Sequence, residues 1–262
     1  MSKAKGILLV FLILGVAAGV YSLIRPSKAL KPAKDTVIQP VLYGYNADGS
    51  EAWRVEAKEG KMGKDEDVFE DVVLTIYDSE KTQLTVSAPT LSLKGNHARL
   101  TGGVTGVFAD GDRLTTEEVV WERKSGNFSG EKVEISSSDG RIKAEGFSYD
   151  SGSGRLQLTG GVNAELNKPK RISVVGDAAE YNSGQVTLSG DVRITSSTDT
   201  YRCETVRYES GTVVLSGEVK GEMNYGTLIA GKIQVDEHGT TASDGVHLVL
   251  NPDFFGEAKN GA

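Results

Sequence analysis

Gly102-Gly103-Val104 is the stretch that decides the fold, because it recurs. It returns as Gly130-Glu131-Lys132-Val133, Gly160-Gly161-Val162, Gly190-Asp191-Val192, Gly217-Glu218-Val219 and Asp244-Gly245-Val246. The valines stand 29, 29, 30, 27 and 27 residues apart. A fixed period of this size marks stacked supersecondary units, none of which can bury its apolar face alone.

Each unit follows one plan. The valine opens a short strand with apolar residues at alternate positions, as in Val162, Ala164 and Leu166. A polar or glycine-containing turn follows. A second strand then ends in Trp121, Tyr149, Tyr181, Tyr208 or Val235, and a turn such as Glu209-Ser210-Gly211 closes the unit. Period-two alternation sends one set of side chains to each face. Gly, Asn, Ser and Asp supply the turn conformations. This predicts an all-β fold. The apolar content is 38% with Gly left out, and a thin two-layer body is expected rather than a thick globule.

The start of the chain differs. Gly6 to Ile24 is apolar and uncharged, and as a helix it would reach about 28 Å, close to the hydrocarbon thickness of a bilayer. This predicts a retained membrane span. A cleaved leader ending near Val16-Ala17-Ala18 is the competing reading, but the apolar run continues past that point. Lys3 and Lys5 precede the run and Arg25, Lys28, Lys31 and Lys34 follow it, so flanking charge does not choose an orientation. Those six cations are all the Lys and Arg before residue 35, where no acid occurs. The rest of the chain therefore holds 29 − 6 = 23 basic against 36 acidic residues. Such an acidic body is unsuited to nucleic acid, whose binding needs a basic surface.

No catalytic constellation appears. His97, His238 and His247 lack metal-ligand spacing, and no nucleophile elbow or phosphate loop occurs. Lys64-Asp65-Glu66-Asp67 with Glu70-Asp71 lacks the spacing of a calcium loop and reads as solvated. Cys203 is single and occupies a small-residue slot of the repeat, so a buried structural thiol is expected. No enzyme activity, cofactor or metal is expected.

The apolar face is the candidate site. Alternation places Val72, Leu74, Ile76, Leu84, Val86, Val104, Phe108, Leu114 and Trp121 on it. Val133, Ile135, Phe147, Tyr149, Val162, Leu166, Tyr181, Val192 and Ile194 continue it. Two readings share this pattern: a closed, dry sandwich core, or a cleft between two sheets that accepts acyl chains.

Several segments, in order, resemble a known family. Asn46-Ala47-Asp48-Gly49-Ser50-Glu51-Ala52-Trp53-Arg54-Val55-Glu56-Ala57 resembles the opening hairpin of LptC, a lipopolysaccharide export component. Phe69 to Tyr77, Leu84 to Pro89, Leu100 to Val104 and Asp110 to Glu117 resemble the segments that follow it. The later units resemble the OstA-type repeat shared with the bridge protein LptA. The resemblance implies an open, elongated β-jellyroll of folded-over antiparallel sheets, built here from repeats of about 28 residues. It implies a carrier that takes lipopolysaccharide from an inner-membrane ABC transporter and passes it to an LptA-like periplasmic bridge. Neighbours would dock by strand addition at sheet edges, here Val37 and Val41 at one end and Val246, Leu248 and Leu250 at the other.

The expected organisation is a cytoplasmic start at 1–5, a transmembrane helix at 6–24 and a basic linker at 25–36. An LptC-like jellyroll at 37–190, further OstA-like repeats at 191–250 and a tail at 251–262 follow. The chain would thus sit in the inner membrane with its C-terminal domain in the periplasm. A tethered structural scaffold and a tethered LptA-like bridge are the alternatives.

Overall fold

A computed structural model describes residues 35–78, 81–138, 140–167, 171–182 and 184–251. The expected start at 1–5, the span at 6–24, the linker up to residue 34 and the tail beyond Asn251 lie outside the described residues. The sheet described below belongs to the unit Val37–Ala262, apart from Asp35 and Thr36 at the start of its first strand.

Among the described residues there are strands and no helix. The strands are β1 (Asp35–Ile38), β2 (Val41–Tyr45), β3 (Glu51–Met62), β4 (Asp67–Asp78), β5 (Lys81–Lys94) and β6 (His97–Phe108). Next come β7 (Arg113–Glu122), β8 (Asn127–Ser136), β9 (Gly140–Asp150), β10 (Arg155–Leu166), β11 (Ile172–Gly176) and β12 (Ala178–Asn182). The chain continues with β13 (Gln185–Thr195), β14 (Thr200–Glu209), β15 (Thr212–Met223), β16 (Gly226–Asp236), β17 (Gly239–Ser243) and β18 (His247–Leu250).

The topology is an antiparallel meander. From β2 to β10 each strand pairs with the next. β11 and β12 act as two halves of one strand between β10 and β13. β13 to β16 continue the meander, and β17 and β18 share the far side of β16 as a second broken strand.

The recurring phrase does not open a unit. It lies in the middle of β6, β8, β10, β13 and β15, so the expected pairs of short strands are halves of single long ones. At Gly102-Gly103 one residue is inserted: Thr101 pairs with Glu118, but Val104 pairs with Thr116. The same shift occurs at Thr159/Val162, Ser189/Val192 and Ser216/Val219. These are β-bulges, which bend a strand and raise its twist.

Backbone geometry explains the wording of the phrase. Gly190 and Gly217 have φ of 79° and 81°, and a Cβ there would collide with the Asp177 and Glu204 side chains respectively. Glycine is required at that first position by both backbone and space. The second position faces open space at Gly103 and Gly161, which is why Asp191 and Glu218 are accommodated at the equivalent sites with φ of 39° and 44°. Lys132, with φ of 51°, kinks β8 without a register shift. Two earlier members of the series, Gln39 and Asp71, both with φ of 52°, were not visible as repeats because neither has a neighbouring glycine. Asp71 is thus a strand residue of β4 rather than part of a solvated loop.

The bends fold the sheet over. Half-strands next to turns 95–96, 123–126 and 151–154 make one layer. Half-strands next to turns 46–50 and 109–112 make the other. Contacts between non-neighbouring strands join them. Trp53 of β3 meets Trp121 of β7 edge to face at 5.3 Å, and Phe108 of β6 meets Tyr149 of β9 at 5.6 Å. The bulges form the spine of the fold, and the turns form its two lips.

Candidate functional site

The inward face runs the length of the fold, but it is packed differently along that length. From β3 to β10 the two layers touch. Val72, Leu74, Ile76, Leu84, Val86, Val104, Leu114, Trp121, Val133, Ile135, Phe147, Tyr149 and Val162 are buried, and Phe108 is partly buried against them. Aromatic rings close the lips. Trp121 stacks on Phe128 at 5.6 Å with planes 4° apart, and Phe128 lies 6.2 Å from Tyr149. Gln83 Nε2 donates to Ser151 O at 3.0 Å, tying the start of β5 to the turn after β9. The space left between the layers, lined by Leu84, Val86, Phe108, Leu114, Phe128 and Phe147, is about 20 Å³. That volume is about enough for one water.

From β11 to β18 the buried side chains are confined to the spine. Leu188, Val192, Cys203, Leu215, Val219, Ala230 and Ile233 are buried, and all lie within three residues of a bulge or break in register. Farther out, Val186, Ile194, Tyr201, Val206, Val213 and Leu228 are only half-buried. At the lip, the repeat position that is 1% exposed as Trp121 and 5% as Tyr149 becomes 45% exposed as Tyr181, 45% as Tyr208 and 38% as Val235. Leu166 and Tyr181, expected inside, therefore stand partly in solvent. They keep the inward parity, since Leu166 pairs with Ile172, and Tyr181 with Leu156 and Val186, but the layers have parted around them. The inward face here is apolar and partly open to solvent. Alternation placed residues on the face; it carried no signal for where the layers separate.

Titratable groups on this face are shifted by burial. The Tyr149 phenol is pushed up to about 12, first by burial and then by nearby Asp150. Burial also raises Tyr201 and the Cys203 thiol, whose Sγ lies 3.5 Å from Thr205 O. Cys203 is a buried member of the spine opposite Val192, as expected for a structural thiol.

Both sheet edges are exposed. Val37 and Val41 are 41% and 44% exposed, and Leu248 is 52% exposed. Val246 precedes β18 rather than belonging to it, because Asp244-Gly245 breaks the strand there. Asn251 N–H donates to Tyr225 O, so by two-residue alternation Val249 also faces β16. Leu248 and Leu250 point their backbone groups outward.

A folded-over antiparallel sheet with an apolar cleft defines the class: a β-groove protein. The chain belongs to the LptC family, since the family model described as "LptC: Lipopolysaccharide-assembly, LptC-related" matches residues 7–167. It is accordingly a component of lipopolysaccharide transport, and its family is one of transport components rather than enzymes. No curated protein matches the chain. Among the described residues, the match ends one residue after β10, where the closed part of the sheet gives way to the open groove.

Proposed function

We propose that this chain is a membrane-anchored periplasmic carrier that accepts lipopolysaccharide from an inner-membrane ABC transporter and passes it to an LptA-like bridge. The observation that carries this reading is the parting of the layers between β11 and β18. Inward-facing Tyr181, Tyr208 and Val235 stand exposed there on an otherwise apolar wall. Acyl chains lie in this open groove, each buried methylene contributing about 0.8 kcal/mol of retention. The sugars stay outside, in water. The rival reading, a scaffold with a dry interior, describes the closed part from β3 to β10 but leaves the exposed aromatic lip unexplained.

Site-specific photo-crosslinkers test the groove. Positions Tyr208 and Val213 should capture lipopolysaccharide, whereas Leu74, fully buried in the closed part, and outward-facing Thr75 should not. Equal capture at all four positions would defeat the carrier reading.

The bridge docks on the outer edge of β18 by strand addition. Leu248→Pro removes an outward N–H and should abolish bridge binding in a pull-down while leaving the fold intact. Val249→Pro instead breaks pairing with β16. Bridge binding that survives Leu248→Pro would place the contact elsewhere.

A further inference from the structure

A second cavity, separate from the apolar interior, lies between the lips of the closed part. It measures about 330 Å³, within the range of small-ligand sites. Trp53 and Tyr77, both part-exposed, supply its aromatic wall, and the buried Trp121 backs Trp53. Around them are Asn46, Asp48, Ser50 and Asp78 from one layer, and Arg123 and Lys124 from the other. We propose that this cavity is a saccharide site that takes one neutral, ring-sized sugar unit.

Three features support that assignment. The charged lining residues are two carboxylates and two cations, which cancel and favour an uncharged ligand over an anion. Hydroxyl groups can both donate to Asp48 and Asp78 and accept from Arg123, Lys124 and Asn46, so a polyol uses both kinds of partner at once. Aromatic rings beside such polar groups suit the apolar C–H faces of a pyranose.

The rim is also held in place before any ligand arrives. Asp48 accepts from the Ser50 N–H at 2.9 Å and from the Ser50 hydroxyl at 2.6 Å, and Asn46 Nδ2 donates to Ser50 Oγ at 3.0 Å. Arg123 is fixed by a hydrogen bond from its guanidinium to Gly95 O, and the Lys124 N–H donates to Asn96 Oδ1 at 2.9 Å. Two of the lining residues carry buried donors with no protein acceptor, Trp121 Nε1 and Arg123 Nε. Buried donors normally find a partner.

The inference goes beyond the carrier reading, because its ligand is a sugar and its cavity is not the acyl groove. Trp53 and Trp121 are the protein's only two tryptophans, so intrinsic fluorescence reports directly on this site. The full chain in detergent is titrated with the methyl glycosides of glucose, galactose and N-acetylglucosamine. At least one should give a saturable change, weakened at least tenfold in the rim variant Asn46→Ala/Asp48→Ala. Two further titrations, with lipopolysaccharide bearing its core sugars and with lipid A lacking them, separate the sources. A rim-dependent response to the first alone identifies the cargo's sugars; a response to free glycosides alone identifies a soluble sugar. No saturable change with any glycoside, or saturation by inorganic phosphate instead, overturns the proposal. Cross-linking at Tyr208 is unaffected by either result, so the two readings fail separately.

Discussion

The parts of the sheet from β3 to β10 and from β11 to β18 share one repeat and one alternation, yet the first is shut and the second open. The difference lies in what reaches across the lips. In the closed part Trp53 and Phe108 project from one layer and meet Trp121 and Tyr149 from the other. In the open part the positions four residues after the repeat valine, where Phe108 stands after Val104, are Ser196, Met223 and Leu250, which carry no rings. Tyr181 and Tyr208 consequently stand exposed. Closure here is a property of side-chain size at the lips, imposed on a backbone that would allow either state. The closed part coincides with the stretch matched by the LptC family, so the open groove is the portion of this chain that lies beyond the match.

Truncating lip aromatics should split the two parts most sharply. Trp121→Ala removes a buried indole that packs on Trp53 and Phe128 and should cost about 3–5 kcal/mol. Tyr208→Ala, at an exposed lip, should cost less than about 1 kcal/mol while reducing lipopolysaccharide capture. Urea unfolding of both variants checks this, and similar losses would erase the distinction between the parts.

Alkaline pH provides the next largest effect. Tyr149 has a folded pKa raised to about 12 against an ordinary value of 10.0. Its neutral form is favoured in the fold, so its contribution is complete below pH about 10 and is lost as pH rises through about 12. Discounted for solvent screening, the loss should be about 1–2 kcal/mol. Stability measured between pH 9 and pH 12 (a range set by these pKa values) should fall more steeply in the parent than in Tyr149→Phe. Parallel profiles would show that the closed lip does not depend on keeping this phenol neutral.

The smallest effect concerns the Gln83–Ser151 tie between the lips. Gln83→Ala removes the bond to Ser151 O and should cost about 1 kcal/mol. It should also raise cross-linking of lipopolysaccharide at Phe108, whose ring packs on Tyr149, two residues before Ser151. Unchanged labelling at Phe108 would mean that this bond does not help to hold the closed part shut.

Much of this was legible in the residues. The glycine-valine phrase announced a repeating β structure, and alternation placed Leu74, Val104 and Val192 on the inward face, where they are buried. Cys203 was readable as a small buried slot because the repeat puts Thr116, Ala144 and Ala230 at the same place. Other features were hidden for physical reasons. A glycine pair in a strand and a glycine pair in a turn use the same positive φ, so the phrase looked like a boundary when it is a bend. Gln39 and Asp71 adopt the same backbone without glycine and left no compositional mark. The polar cavity draws on Asn46, Asp78 and Arg123 from distant turns, and no local spacing links them.

By itself, the sequence determined the strands, their inward face and the bends, because these follow from period-two alternation and from backbone conformations that particular residues permit. Only the tertiary structure decided where the two layers close and where they part. That depends on which side chains meet across the fold, and Trp53 and Trp121, 68 positions apart, become neighbours only once every bend between them has formed.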